Sequence, residues 1–318
     1  MKNLLVTPSY KAGAVRLADH IELVALRAPH YRASQTDIIA SFDRREDENE
    51  DEFERPVLQA FEELELRQKH LGRFARHYPF QLEETSLAFR GSLNHSKLLY
   101  LFLLLATRLN MRDDRRHAGL DGAALFEQLS CEIARNFWAG CRRPIDDTVD
   151  AFVFGTSRST LRPWNVQSIG RARFGDAVED LCDRLGEGGY FLPKTTNPIH
   201  AKDDRVDVVV WRGFSDKRNG QLIGFGQCKT GTHYAGDLSR LRPGAFCQKW
   251  LAMTPAAPPL SLFFVSDRVA GDLYNECADC GILFDRCRAL DYAQRLPLKL
   301  RRACARWTEV VLRKHRLG

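Results

Sequence analysis

Two short apolar runs, Val206–Trp211 and Leu222–Cys228, limit what this chain can fold into more than any other stretch. Each is brief, rich in β-branched or aromatic residues and bounded by turn formers, with Gly220 and Gly231 flanking the second. That pattern predicts strands rather than helices. The polar, glycine-containing segment between them predicts a reversal, and so a hairpin. Side chains alternate along a strand, which puts Gln227 and Lys229 on one face and Cys228 on the other. A hairpin brings Asp207, at the start of the first strand, towards Gln227 and Lys229 at the end of the second. An acid, an amide oxygen and an ammonium meeting at one sheet edge suit a divalent metal and a phosphate.

Around this pair, helices alternate with strands. A helix is expected over Arg171–Leu185 before it, ahead of the Gly-rich turn GEGGY. After it come a helix near Ala245–Met253, a breaker-rich loop, a strand at Leu260–Val265, a helix near Ala270–Asp279, a short strand in GILFDRC and a basic helix over Leu298–Lys314. Such alternation implies an α/β layer arrangement. The first 140 residues read as mostly helical, with Ala14–Arg27, Val57–Tyr78, Leu98–Leu109 capped by Ser96, and Gly122–Ala139 at helical spacing. Pro56 fits an early helical position. The acidic run Asp43–Glu54 reads as a solvated loop or first helical turn, and Pro144–Trp164 as a connection. The expected division is a mostly helical domain at 1–148 and an α/β domain at 149–318.

At 318 residues the chain is long enough for two such cores. A net charge of +6 permits a nucleic-acid partner without demanding one. No signal peptide is evident and the most apolar run, Leu98–Ala106, is too short to span a bilayer, so a cytoplasmic location without membrane attachment is expected. The nine cysteines then read as free thiols. Cys277, Cys280 and Cys287 make an incomplete metal set, and read more simply as small buried residues.

The helix ahead of the strand pair carries Phe174, Val178, Leu181, Cys182 and Leu185 on one face. Glu179 is taken to lie at the border of that stripe, with Asp176, Asp180 and Asp183 towards solvent. An acid on a helix (Glu179 in FGDAVEDLCDRLGEGGY), an Asp opening a strand (Asp207 in DDRVDVVVW) and Gln-x-Lys ending the next (Gln227 and Lys229 in GFGQCKTG) together resemble the PD-(D/E)xK nuclease superfamily. The form of the last motif is similar to that of Mrr-type restriction endonucleases, and LFFVSDRVAGDLYNECADCGILFDRCRAL resembles the later strand, helix and strand of that core. The likeness covers about residues 168 to 295. No Pro precedes Asp207, Asp203 and Asp204 stand nearby as rival acids, and Gln227 is neutral.

The resemblance implies a restriction-endonuclease-like mixed sheet flanked by helices, and a Mg²⁺- (or Mn²⁺-) dependent endodeoxyribonuclease. Asp207, Gln227 and the Cys228 carbonyl would hold the metal, Glu179 would act through water or a second ion, and Lys229 would orient the attacking water. DNA is the expected partner, with RNA a further option. Arg171 and Arg173 before the Glu179 helix, and Arg301 and Arg302 in the basic last helix, are candidate phosphate contacts. A restriction or anti-phage role follows, with the N-terminal domain docking a partner such as an ATPase or another defence-system subunit. A P-loop fails here, because its glycine positions hold Ile223 and Cys228. The competing reading is a non-catalytic nucleic-acid- or protein-binding subunit on a degenerate nuclease fold, kept open by the neutral Gln227.

Overall fold

The fold was described from a computed structural model, which defines residues 6–42, 50–72, 77–90, 92–140, 148–155, 173–194 and 204–317. In chain order the first elements are α1 (Ala14–Arg27), β1 (Arg32–Ser34), α2 (Gln35–Ala40), α3 (Glu50–Gly72), β2 (Phe80–Glu83), β3 (Ser86–Phe89), α4 (His95–Arg108), β4 (Arg116–His117) and β5 (Leu120–Asp121). They are followed by α5 (Gly122–Trp138), β6 (Val149–Val153), α6 (Phe174–Leu185), β7 (Val208–Arg212), β8 (Leu222–Lys229), α7 (Pro243–Trp250), β9 (Leu260–Val265), α8 (Tyr274–Cys280), β10 (Ile282–Phe284), α9 (Arg286–Asp291) and α10 (Leu298–His315). The chain forms two compact units, one drawn from Met1–Gly122, Asp267–Gly271 and Arg301–Gly318, the other from Ala123–Ser266 and Asp272–Leu300. Sequence composition places a boundary at 148/149. Packing instead assigns α5 beyond Gly122 to the second unit and most of α10 to the first. No described helix is long and apolar enough to cross a membrane.

In the first unit, α1 follows its predicted span, with Leu17, Ile21 and Leu23 fully buried. Helix α3 begins at Glu50, earlier than expected, and takes in the end of the acidic run. Acids at a helix start are favoured by the macrodipole. Pro56 consequently lies inside the helix rather than in its first turn. Asn94, not Ser96, caps α4, its side-chain oxygen accepting from the amides of Ser96 and Lys97. The unit is less helical than its sequence suggests, because β1, β3 and β2 form an antiparallel three-stranded sheet. Trp307 of α10 is buried against Phe102 and donates from Nε1 to the Arg115 carbonyl at 2.9 Å.

A buried charge cluster sits at the core of this unit. The Arg67 guanidinium is fully buried and meets Glu63 (2.8 Å), Asp19 (2.7 Å) and Glu22 (3.1 Å). Tyr78 and Tyr100 donate to the same Glu22 oxygen, at 3.0 and 2.7 Å. Arg268, from the Asp267–Gly271 segment, donates to Glu63 at 3.2 Å. Burial opposes the Arg67 charge, yet Glu22, Asp19 and Glu63 hold its pKa above the ordinary arginine value.

The second unit is built on a mixed sheet in the order β10-β9-β8-β7-β6. β7 is antiparallel to both β6 and β8, whereas β8, β9 and β10 run parallel to one another. Both predicted strands of the opening hairpin form, and Leu260–Val265 is strand β9 as expected. One face packs Val209, Trp211, Ile223 and Phe225 against Phe174, Val178, Leu181 and Leu185 of α6 and Phe246 and Trp250 of α7. On the other face Gly224 and Gly226 leave room for rings: a Cβ would lie 3.0 Å from Trp138 of α5 and 2.9 Å from Phe264, respectively. Strand β6 falls within the stretch read as a connection. It forms the sheet's edge and pairs with β7 over five residues.

Glu187, in the GEGGY turn, fastens three loops of this unit together. It is buried, and its carboxylate accepts from the amides of Gly220, Gln221 and Ala256 at 2.8 to 3.0 Å. Desolvation works against the charge, but these donors outweigh it and hold the carboxyl below its ordinary value. A depressed carboxyl stabilises the fold above the unfolded-state pKa, and that stabilisation is lost as pH falls through the folded value. Glu187→Gln should therefore cost about 1–3 kcal/mol at neutral pH, with the difference from wild type shrinking as pH drops below about 4.3. Urea denaturation across that range provides the measurement. A deficit that stayed constant with pH would remove Glu187 from the acid response.

Candidate active site

Asp207 stands just ahead of β7 rather than inside it. Its amide donates to the Gly226 carbonyl and its own carbonyl accepts from Phe154, each at 2.8 Å. These bonds and the Val208–Gly226 register place Asp207 beside the end of β8. The alternation that buries Phe225 against α6 turns Gln227, two residues on in β8, to that same face. The Asp207 carboxylate is fixed in turn: the Cys228 amide donates to its Oδ2 at 2.7 Å. Cys228 points its thiol the other way, and burial pushes that thiol well above its ordinary pKa, with Asp207 and Glu127 adding to the effect.

Gln227 is only 4% exposed, and its Oε1 has no hydrogen-bond partner among the described residues. A buried amide oxygen left unpaired costs about 1–3 kcal/mol, so an unsatisfied one in a native interior calls for a ligand or a function. Lys229, two residues on, is half-buried. Its ammonium meets Asp237 Oδ2 at 3.1 Å, and Asp237 Oδ1 in turn meets Arg240 at 2.6 Å. Asp237 sits in a short helical turn after β8, inside a polar loop with no recognisable motif. Nothing but its being an acid near the end of the Gln-x-Lys strand could have marked it in the sequence.

The other candidates are placed as follows. Glu179 is exposed on α6, and its carboxylate accepts from the Phe191 amide at 2.6 Å, while Asp180 is half-buried; the expected border position belongs to Asp180. The rival acid Asp204 is occupied by Trp250 Nε1 (2.6 Å) and Lys249 (2.8 Å) near the end of α7. Asp203 and Arg171 lie outside the described residues. Arg173 is exposed immediately before α6. Arg301, half-buried, and Arg302, exposed, lie on α10 in the first unit. Cys277 and Cys280 share α8; Cys280 and Cys287 are buried, and burial pushes the Cys280 thiol to about 12.

For a divalent cation, this strand pair offers one fixed carboxylate and one buried amide oxygen that has no partner among the described residues. Among the described residues no group of three or more His, Cys, Asp or Glu is placed to hold a metal. Comparison with family models, with curated proteins and with solved structures finds no match for this chain.

Proposed function

We propose that the second unit is a metal-dependent DNA endonuclease of restriction-endonuclease-like fold, working in a bacterial restriction or anti-phage role. The observation that carries this reading is the Asp207 carboxylate held on the β8 backbone at Cys228, between Gln227, whose buried Oε1 has no partner among the described residues, and Lys229. The order of elements supports it. A helix carrying Glu179 precedes an antiparallel pair with the acid at its head and Gln-x-Lys at its end, and a helix and a parallel strand follow.

Asp207 and Gln227 would hold Mg²⁺ or Mn²⁺, which when bound lowers the pKa of a water and offsets charge building on the phosphate. Asp207 is oriented for that task by the Cys228 amide, which fixes one of its oxygens. Lys229 supplies a compact cation that positions the attacking water and stabilises charge on the phosphate. Glu179, engaged by the Phe191 amide, is given a secondary part through water. The first unit would dock a partner subunit.

The test is incubation of purified protein with plasmid DNA and Mg²⁺ or Mn²⁺, beside Asp207→Ala and Lys229→Ala. Nicking should require metal and fall by about a hundredfold or more in each variant. Duplex binding that persists without cleavage under any metal would replace this reading with the non-catalytic binding subunit. Cleavage of RNA alone would move the substrate class.

A further inference from the structure

Lys229 can act on a phosphate only if its ammonium is held in place, and the strand by itself does not hold it. A lysine ammonium rides on a flexible four-carbon stem with about 2 kcal/mol of rotamer entropy. In this unit the main chain around it is fixed from two sides. The Lys229 carbonyl accepts from the Ser266 amide at 3.2 Å, and the Ser266 hydroxyl accepts from the Gly231 amide at 3.3 Å. Gly231, at φ +83°, then turns the chain out of β8. The loop comes back through Ala235–Asp237, where the Asp237 amide donates to the Tyr234 carbonyl at 2.8 Å and the next residue, Leu238, is buried. The returning carboxylate meets the lysine at 3.1 Å.

Resting on the nuclease reading, we propose that Asp237 is the positioning residue for Lys229, with Arg240 completing the arrangement. A carboxylate that served Lys229 alone would cancel its charge. Asp237 divides its two oxygens between Lys229 and Arg240, so the trio keeps a net positive charge towards an incoming phosphate. The side chains grade outwards: Asp237 is 16% exposed, Lys229 33% and Arg240 54%. The lysine is therefore anchored from the protein side and remains open to solvent. Ordering of this kind raises the rate by holding a group where charge will develop rather than by strengthening substrate binding.

The test compares wild type with Asp237→Asn, which keeps the shape of the turn, and Asp237→Glu, which keeps the charge. Two readouts are taken: steady-state plasmid cleavage, and the rate of acetylation of each lysine by an amine-reactive ester, resolved by mass spectrometry. In Asp237→Asn, kcat should fall about tenfold to a hundredfold with KM within about twofold, and Asp237→Glu should recover part of the loss. Lys229 alone among the lysines should be acetylated about two- to fivefold faster in Asp237→Asn. An unchanged Lys229 acetylation rate overturns the proposal, as does faster acetylation in an active enzyme whose kcat does not move. If wild type cleaves nothing with any metal, the nuclease reading falls, and the acetylation rate alone then decides whether Asp237 holds the lysine.

Discussion

Replacing Arg67 with alanine should destabilise the first unit by about 3–5 kcal/mol, the cost of removing one partner from a buried ionic cluster. The reason lies in what would remain. Asp19, Glu22 and Glu63 converge on the guanidinium, and Asp19 and Glu22 are shielded from water almost completely. Arg268 reaches Glu63, the most exposed of the three acids. Asp19 and Glu22 would thus lose this guanidinium in a low-dielectric interior, where charge left uncompensated costs several kcal/mol. Adding Glu22→Gln to Arg67→Ala should recover part of the loss, because it removes a negative charge buried beside the lost guanidinium, and the two changes should be strongly non-additive. Urea denaturation of the two variants and the double variant measures this. If Arg67→Ala unfolded at the wild-type midpoint, the cluster would have to be solvated in a way its burial does not allow.

Gly281→Ala should cost the second unit about 3 kcal/mol or more. Gly281 ends α8 and leads directly into β10, at φ +79° and ψ −125°, a backbone region almost closed to other residues. Strain of that kind amounts to about 1–3 kcal/mol. A methyl group would also lie 2.3 Å from the Ser261 carbonyl oxygen on β9, so the backbone itself must move. Overpacking adds about 1–3 kcal/mol to the strain. Gly244→Ala in α7 serves as the control, since its methyl meets nothing within 4 Å and its φ is ordinary. The control should be neutral or slightly stabilising. Equal midpoints for Gly281→Ala and Gly244→Ala would mean that the α8–β10 connection can open without loss.

What the sequence made legible follows from local pattern. β7, β8 and β9 are dense in Val, Ile, Leu and Phe and closed by glycine or proline, so their positions are written in the residues themselves. The nearness of Asp207 to the end of β8, where the Cys228 amide meets its carboxylate, reflects the hairpin legible in the two runs. Strands β1, β2 and β3 were hidden because each has three or four residues, and β1 pairs with β3 more than fifty positions away. Strand β6 was hidden because VDAFV sits between polar segments and owes its pairing to β7 rather than to its own propensity. Asp237 was invisible for a further reason. An acid in a polar loop becomes part of a site only through the way the chain returns, and that return is set by Gly231 and the burial of Leu238.

The interleaving of the two units has a practical consequence for dissecting the protein. The backbone passes from one unit to the other at four points, after Gly122, Ser266, Gly271 and Leu300. No single cut can release either one whole. A fragment ending near 148 would lose Arg268 from the charge cluster and Trp307 from beside Phe102. A fragment beginning there would lose α5 and bare the sheet face over which Trp138 lies. Expressed separately, such halves should aggregate rather than report on what each contributes, and genetic complementation by two co-expressed pieces split at that point should fail.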